Sequence, residues 1–206
     1  MKFEDAQAHW NARFAGDDYH FGTEPNVFLA SQEKLLRPEM SALCVADGEG
    51  RNSVWLARQG LRVTAFDISP VGVDKAKRLA REASVEIEHH VANINDWDWD
   101  AASYDLVLAI FIQFASPAER ARIFAGMMRA LAPGGLLMLQ GYGPRQIEYK
   151  TGGPGVLENL YTAELLRGQF AALDILHLAE HDDEIREGKG HSGMSALVDL
   201  VARRPA

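Results

Sequence analysis

Residues 41–57 read SALCVADGEGRNSVWLA, an apolar run that enters a glycine-bearing turn and continues as the start of a helix. A second apolar run over residues 61–66 ends at Asp67, about 20 residues beyond the turn, where nucleotide-binding folds place an acid that bonds ribose hydroxyls. Strand, turn, helix, strand and terminal acid together predict that this part of the chain binds a nucleoside.

The spacing of the glycines separates two kinds of nucleoside ligand. A dinucleotide fold uses G-x-G-x-x-G so that a pyrophosphate can approach the backbone amides at the start of the helix. Here Gly48 and Gly50 are followed by the bulky Arg51 and Asn52, and Ser53 stands where the third glycine is expected. The turn therefore favours a nucleoside without a pyrophosphate, and a nicotinamide-dependent oxidoreductase is the less favoured alternative.

Composition and charge narrow the class of protein. At 206 residues, with 47% hydrophobic and 24% charged residues, the chain is long enough for one well-cored soluble domain. The 29 acidic and 21 basic residues give a net charge of −8, which opposes nonspecific attraction to nucleic acid and to anionic membranes. The single cysteine, the polar amino terminus and the absence of a long apolar run predict a cytoplasmic protein. We expect a monomer or homodimer that binds neither nucleic acid nor a membrane.

The pattern of apolar residues predicts the order of strands and helices. From residue 41 onward, apolar strand patterns alternate with amphipathic helix patterns, which indicates a parallel sheet with crossover helices. Two final strand patterns, at 172–179 and 195–202, are separated by a charged turn too short for a crossover helix, so they should pair antiparallel. The earlier strands are predicted at 43–45, 62–66, 86–90, 104–110 and 136–140, with a breaker at 133–135, and the helices at 52–59, 70–82, 117–131 and 162–168.

The predicted architecture is α/β, with a Rossmann-like, doubly wound, mostly parallel seven-stranded sheet whose last strand is antiparallel. We assign residues 1–206 to a single domain, in which residues 41–206 form the core and residues 1–37 form an N-terminal helical cap or lid. The cap contains two short helix patterns, the second over residues 26–36, separated by a stretch rich in turn formers and aromatics.

Five motifs extend over nearly the whole chain. They are WNAR at 10–13, YHFGTEPN at 19–26, DGEGRN at 47–52, LAPGG at 131–135 and EGKGHSG at 187–193. With these motifs the chain resembles the class I S-adenosylmethionine-dependent methyltransferases, and more narrowly the small bacterial tellurite-resistance and thiol-methyltransferase-like group. The resemblance implies S-adenosyl-L-methionine as methyl donor and co-substrate, together with a small-molecule methyl acceptor.

The resemblance also implies which residues hold the donor. The backbone around Gly48 would pass under the methionine portion, Asp67 would bond both ribose hydroxyls, and Tyr19 would cover the methionine end as a lid that excludes water. For Asp67 the structural alternative is an ordinary acid at the start of a helix. For Tyr19, Ile110 and Phe111 the alternative is simple core packing. The implied donor-binding residues are Tyr19, Ala46, Asp47, Gly48, Asp67 and Ile68, then Asn93 and Ile94 at the adenine, and Ile110 and Phe111 beneath the sulfonium.

The acceptor side is less constrained by the sequence. A soft nucleophile, such as a thiol or a species derived from a selenium or tellurium oxyanion, needs little help from a base because it ionises near neutral pH. His191 and Tyr142 are the candidate catalytic residues, and His191 matches a recurrent position in the resembled group. His20 is a further candidate base, with a histidine that simply occupies a turn as the favoured alternative.

Two other groups of polar residues are possible ligand sites by residue type. Arg145 and Lys150, in the loop after the fifth strand, would either attract an anionic acceptor or remain solvated. His89 and His90 are adjacent in a predicted strand and so point to opposite faces, which argues against a two-histidine metal site. No metal is therefore predicted.

Three residues in the turn depart from the pattern of the resembled group. Cys44 stands where an acid is usual, Ala46 where a glycine is usual, and Asp47 where a cysteine or another small residue is common. The missing acid would weaken donor binding unless Asp47 takes over its contact with the donor's ammonium group. A catalytically silent nucleoside-binding or sensor protein of the same fold is therefore the alternative to an enzyme.

Overall fold

The computed structural model describes residues 3–206, which form a seven-stranded sheet with flanking helices. The strands are β1 (Ser41–Val45), β2 (Arg62–Asp67), β3 (Ile87–Val91), β4 (Tyr104–Ile110), β5 (Leu131–Tyr142), β6 (Asp174–Glu187) and β7 (His191–Arg203). The helices are α1 (Phe3–Phe14), α2 (Val27–Ser31), α3 (Arg51–Arg58), α4 (Pro70–Glu82), α5 (Pro117–Arg129), α6 (Gln146–Tyr149) and α7 (Ala163–Gln169), with short 3₁₀ helices at Glu33–Leu35 and Leu157–Asn159.

The strand order in the sheet is β3-β2-β1-β4-β5-β7-β6. β1 pairs with β2, β2 with β3, and β4 with β5 in parallel, whereas β5 pairs with β7 antiparallel. The predicted fold class, a mostly parallel Rossmann-like sheet with an antiparallel end, is confirmed.

The described residues group into two compact units. The first contains residues up to Trp97 together with Glu187–Gly190, and the second contains Asp98–Arg186 and His191–Ala206. The assignment of the whole chain to one domain with a cap over residues 1–37 stays a prediction, and residues 1 and 2 of that cap lie outside the described residues.

In the first unit, the strand register determines which residues share one edge of the sheet. Val45 pairs with Phe66, and Asp67 pairs with Val91. Because parallel strands end at the same edge, the turn after β1, the acid at the end of β2 and the residues after β3 lie side by side. The Ser69 side chain caps α4 by accepting from the Gly72 amide at 3.1 Å, and Pro70 occupies the first turn.

In the second unit, the apolar strands β4, β5 and β7 form the core. The antiparallel β5–β7 register runs from the pair Leu136–Arg203 to the pair Tyr142–Leu197. α5 begins with a capping box in which Ser116 and Glu119 each accept from the other's backbone amide. Among residues 3–206, no helix is both long enough and apolar enough to cross a membrane.

Several predictions about element boundaries are wrong. The charged turn predicted between the strands at 172–179 and 195–202 is confined to residues 188–190, because β6 continues to Glu187 and β7 begins at His191. The helix predicted over 26–36 divides into α2 and a 3₁₀ turn, because the Ser31 hydroxyl donates to the Phe28 carbonyl at 2.7 Å and competes with helical bonding. The breaker predicted at 133–135 does not end a segment, because β5 already begins at Leu131. Tyr104 pairs with Leu131 and Leu106 with Leu136, so residues 132–135 form an irregularity within the strand.

Candidate functional site

The glycine turn after β1 has a strongly left-handed backbone. The φ angles are +50° at Ala46, +64° at Gly48 and +92° at Gly50. A Cβ on Gly50 would lie 2.7 Å from the Ala76 Cβ, so glycine there permits α3 to begin close against α4. Ala46 adopts a conformation that costs an L-residue about 1–2 kcal/mol, which glycine would adopt with less strain.

Asp47 stabilises the start of α3. Its carboxylate accepts from the Ser53 hydroxyl, and it also accepts from the Ser53 amide at 3.3 Å. Burial raises the pKa of Asp47 to about 7, against the lowering effect of the Ser53 hydrogen bonds. The carboxylate therefore has an internal partner, and its contact with the ammonium group of a donor stays a prediction.

Asp67 connects the end of β2 to the glycine turn. One carboxylate oxygen accepts from the Gly48 amide at 2.9 Å and the other from the Ser69 amide at 2.8 Å. Burial raises the pKa of Asp67 to about 6, although these backbone hydrogen bonds act in the opposite direction. The acid thus supports both the turn and the entry to α4, and its contact with the ribose hydroxyls of a donor stays a prediction.

The remaining predicted donor residues of the first unit follow β2 and β3. The Ile68 carbonyl accepts from Gln7 Nε2 at 3.0 Å. The Asn93 side chain accepts from the Asn95 amide at 3.0 Å, which holds a turn after β3, and Ile94 is buried. Asn93 follows Ala92, whose amide donates to the Asp67 carbonyl at 2.9 Å. The register therefore brings these residues to the same edge as the glycine turn, while their contacts with a donor stay predictions.

Tyr19 lies against α4. Its hydroxyl donates to the Lys75 carbonyl at 3.2 Å, and its ring centroid is 5.1 Å from Lys75 Nζ and 5.4 Å from Arg78 Cζ. The aromatic ring beside the glycine turn is instead that of Phe14, whose Cζ lies 3.4 Å from the position of a Cβ on Gly48. The role of Tyr19 as a lid stays a prediction, and Phe14 is a neighbour of the turn that was not predicted as a site residue.

A buried ion pair holds the segment that precedes α2. Lys75 Nζ pairs with the Glu49 carboxylate and donates to the Gly16 and Asp18 carbonyls at 2.9 and 2.6 Å. Glu49 also accepts from the His20 amide at 2.7 Å. Sequence reasoning missed this pair, because Glu49 has no signal of its own within the glycine-turn motif and Lys75 belongs to no motif.

In the second unit, the structure brings together both predicted catalytic residues. The Phe111 ring stacks on Tyr142 with centroids 4.6 Å apart, and its centroid is 4.4 Å from that of His191. Tyr142 and His191 are themselves 5.7 Å apart in an edge-to-face arrangement. Ile110, the last residue of β4, pairs with Gln140. The sequence placed these residues at strand ends but gave no measure of their separation.

Gln113 fixes the position of Tyr142. Its Nε2 donates to the Tyr142 carbonyl at 2.8 Å, and its Oε1 accepts from the Tyr142 amide at 2.5 Å. Phe111 leaves the extended conformation, with a φ angle of +56°, so β4 ends at Ile110. The Gln113 amide therefore replaces the next peptide group of β4 beside β5. A polar residue within the apolar sequence after β4 was the only sequence signal for this role.

The loop cation Arg145 has partners of its own. Its guanidinium donates to the Asp182 carboxylate at 2.5 Å and lies 5.5 Å from the centroid of the Tyr149 ring. Lys150 adopts a left-handed backbone with a φ angle of +56°. These contacts weaken the argument that Arg145 attracts an anionic acceptor. Within the part of the chain that the structure describes, no group of three or more His, Cys, Asp or Glu residues is arranged to hold a metal ion.

Comparison with known proteins identifies part of the chain. Residues 42–135 match the methyltransferase domain family. The likeness to this family is therefore confined to less than half of the chain. The match agrees with the prediction of an S-adenosylmethionine-dependent methyltransferase over this segment, whereas the tellurite-resistance and thiol-methyltransferase-like assignment stays a prediction.

Two curated relatives act on different acceptors. The chain is 33% identical to the ubiquinone biosynthesis O-methyltransferase of Methylocella silvestris over 94 residues, which cover 44% of this chain and 35% of that protein. It is 27% identical to the tRNA N(3)-methylcytidine methyltransferase of Drosophila melanogaster over 197 residues, which cover 81% of this chain and 60% of that protein. The chain spans less than two thirds of the length of the curated relatives it matches.

Solved structures share the fold at low sequence identity. A protein that converts a disulfide bond into a thioacetal group in echinomycin biosynthesis superimposes with a TM-score of 0.79 at 19% identity, covering 100% of this chain and 92% of that one. The N-methyltransferase NodS of Bradyrhizobium japonicum, in complex with S-adenosyl-L-homocysteine, gives a TM-score of 0.71 at 15% identity, covering 97% of this chain and 98% of that one. These likenesses establish the fold.

Proposed function

We propose that the protein is an S-adenosylmethionine-dependent methyltransferase that acts on a small molecule. The observation that carries the proposal is Asp67, whose buried carboxylate ends β2 and accepts from the Gly48 amide at 2.9 Å within the segment that matches the methyltransferase domain family. A glycine turn beside an acid with two acceptor oxygens suits a nucleoside with two ribose hydroxyls. NodS, which has the same fold, binds S-adenosyl-L-homocysteine, the product that such a reaction leaves.

The donor supplies a methyl group activated by a sulfonium: a lone pair of the acceptor attacks the methyl carbon, the carbon–sulfur bond breaks, and S-adenosylhomocysteine leaves. In this proposal the first unit binds the donor, with the backbone at 46–48 under the methionine portion, Asp67 and Ile68 at the ribose, and Asn93 and Ile94 at the adenine. Tyr19 acts as the lid, and Ile110 and Phe111 contact the sulfonium.

The acceptor side is assigned to Tyr142 and His191. Their rings form one aromatic cluster with Phe111. Aromatic faces stabilise a sulfonium cation, and a dry cluster limits the competition of water for the methyl group. His191 would take the acceptor's proton where the acceptor is not already ionised, because imidazole nitrogens are the commonest general bases in enzymes.

The proposed acceptor is a soft nucleophile, namely a thiol or a species derived from a selenium or tellurium oxyanion. The support is the resemblance to the tellurite-resistance and thiol-methyltransferase-like group, together with the absence of a need for a strong base. We further propose that the protein acts in the cytoplasm as a monomer or homodimer, with no nucleic-acid or membrane partner, which is supported by its net charge of −8.

A silent nucleoside-binding protein is the second candidate. It is favoured by the strained backbone of Ala46 and by the internal partner of Asp47, which together leave the turn unlike that of the resembled group. Such a protein would bind the donor without transferring its methyl group.

Calorimetric titration with S-adenosylhomocysteine tests the proposal directly. We expect binding by the wild type and a large loss in Asp67→Ala, with Asp105→Ala as a matched control at a strand acid outside the turn. Incubation with labelled donor and a panel of thiols, selenite, tellurite and small metabolites then separates the two candidates. Binding with transfer to no acceptor favours the silent protein, and failure of the wild type to bind refutes both.

A further inference from the structure

Three of the sequence motifs converge on one buried carboxylate. Glu187 begins the motif EGKGHSG, and its Oε2 accepts from the Arg51 guanidinium at 2.7 Å. Its Oε1 accepts from the Asn26 side chain at 2.9 Å and from the Val27 amide at 3.3 Å. Arg51 belongs to the glycine-turn motif and Asn26 ends the motif YHFGTEPN, so residues far apart in sequence share this acceptor.

The segment Glu187–Gly190, which links β6 to β7 and is here called the hairpin tip, is tightly docked in the first unit. A Cβ on Gly188 would lie 2.4 Å from the His20 carbonyl oxygen, and one on Gly190 would lie 2.3 Å from a carbon of the Phe21 ring. The Lys189 amide donates to the His20 carbonyl at 2.8 Å. Because glycines permit this approach, the tip can present the Glu187 carboxylate to the start of α3.

Two hydrogen-bonded contacts hold the first two residues of α3, Arg51 and Asn52. Arg51 pairs with Glu187, and the Asn52 side chain accepts from the Asn26 amide at 2.9 Å. The side chains of Arg51 and Glu187 are only 8% and 4% exposed, so each charge depends on the other. Arg51 directly follows Gly50, hence a shift of Arg51 must also move the left-handed turn at 46–50.

We propose that Glu187 is a positioning residue for donor binding: through Arg51 it holds the turn at 46–50 in the conformation that receives the methyl donor. Glu187 makes no contact with the donor in this account. The inference rests on the proposed function for its ligand, but the claim that Glu187 fixes the turn concerns the protein alone.

The test compares Glu187→Gln with Lys189→Gln in the full chain. Lys189 lies in the same hairpin tip and pairs with Asp18 at 2.8 Å, but both side chains are more than 70% exposed. Such exposed pairs contribute little, so Lys189→Gln controls for loss of charge at the tip. In Glu187→Gln we expect the dissociation constant for S-adenosylhomocysteine to rise about ten-fold, the equivalent of one charged hydrogen bond. The turnover number at saturating donor should stay within about three-fold of the wild-type value, since a ground-state binding defect is overcome by donor concentration.

Hydrogen exchange measured without donor gives an independent readout. In Glu187→Gln, amides of residues 46–53 should exchange faster while those of β1 and β2 remain protected, and Lys189→Gln should match the wild type. Unchanged exchange at the turn, or a uniform increase in all segments, overturns the positioning role. Failure of the wild type to bind S-adenosylhomocysteine refutes the proposed function and leaves the exchange result to decide this inference.

A second variant covers the case in which Glu187→Gln does not fold. Arg51→Lys keeps the positive charge but loses the planar guanidinium, so the ion pair remains with poorer geometry. We expect Arg51→Lys to show the same local increase in exchange at 46–53 and a weaker affinity for S-adenosylhomocysteine. If Arg51→Lys is folded with unchanged exchange and affinity, the inference is wrong.

Discussion

Replacement of Gly50 by alanine tests whether the close approach of α3 to α4 determines the shape of the turn. Gly50 has a φ angle of +92°, and a Cβ there would lie 2.7 Å from the Ala76 Cβ and 2.8 Å from the Ala76 Cα. The neighbouring atoms belong to a helix backbone and a methyl group, so no flexible side chain can move aside. The substitution therefore adds a steric clash to a backbone conformation that an L-residue already disfavours.

The backbone conformation and the steric clash each lower the free energy of unfolding by a separate amount. The left-handed conformation costs alanine about 1–2 kcal/mol, and forcing one extra methyl group into a packed site costs about 1–3 kcal/mol more. Gly134 provides the matched control, because its φ angle is +76° and a Cβ there meets nothing within 4 Å. Gly50→Ala should therefore lower the free energy of unfolding by about 1–3 kcal/mol more than Gly134→Ala does.

Urea denaturation followed by circular dichroism measures both values on the same scale. We also expect Gly50→Ala to weaken S-adenosylhomocysteine binding in calorimetry, since the clash displaces the turn, while Gly134→Ala should bind normally. Equal losses of stability in the two variants would refute the reasoning, because backbone conformation alone would then account for both.

Four further predictions follow from the turn and from the cluster of the second unit. Ala46→Gly should raise the free energy of unfolding by about 1 kcal/mol in urea titration, because glycine adopts a φ angle of +50° without strain. Donor affinity should rise about ten-fold between pH 5 and pH 7 in calorimetry, because ribose hydroxyls bond the ionised form of Asp67, whose pKa is about 6. The pKa of Asp47 is raised from its ordinary 3.8 to about 7, so the folded protein retains a proton that the unfolded chain releases. The stabilisation that comes from this retained proton is thus present below about pH 4 and is lost as the pH rises through 7. In urea titrations, the free energy of unfolding of Asp47→Asn should therefore fall less over this range than that of the wild type. Gln113→Leu should lower stability by about 2–3 kcal/mol in the same assay, because it removes both hydrogen bonds to the Tyr142 backbone.

Local sequence signals were sufficient for much of the fold. The bounds predicted for the helix at 70–82 and the strand at 104–110 coincide with α4 and β4. In α4 a serine cap and a proline in the first turn mark the start, and in β4 a run of apolar residues is buried within the sheet. Signals of this kind act between residues close in sequence, so they can be recognised without knowledge of the tertiary structure.

Local signals failed where a distant or competing contact decided the outcome. The proline and two glycines at 133–135 predict a break, but β5 continues through them because Tyr104 and Leu106 of β4 pair on either side of an irregularity. The Lys75 carbonyl of α4, which accepts from the Tyr19 hydroxyl, was likewise not predicted from the sequence. Neither partner is visible in the neighbouring sequence.

The sequence by itself determined the α/β class, the glycine turn and the acid at the end of β2, because periodicity, turn chemistry and the spacing to Asp67 are local properties of the chain. Only the tertiary structure decided what surrounds that turn. Arg51 and Glu187 are 136 residues apart, and no pattern in either segment specifies the other as its partner. Their pairing follows from the folded path of the chain, in which two buried charges must meet because neither can remain alone away from water.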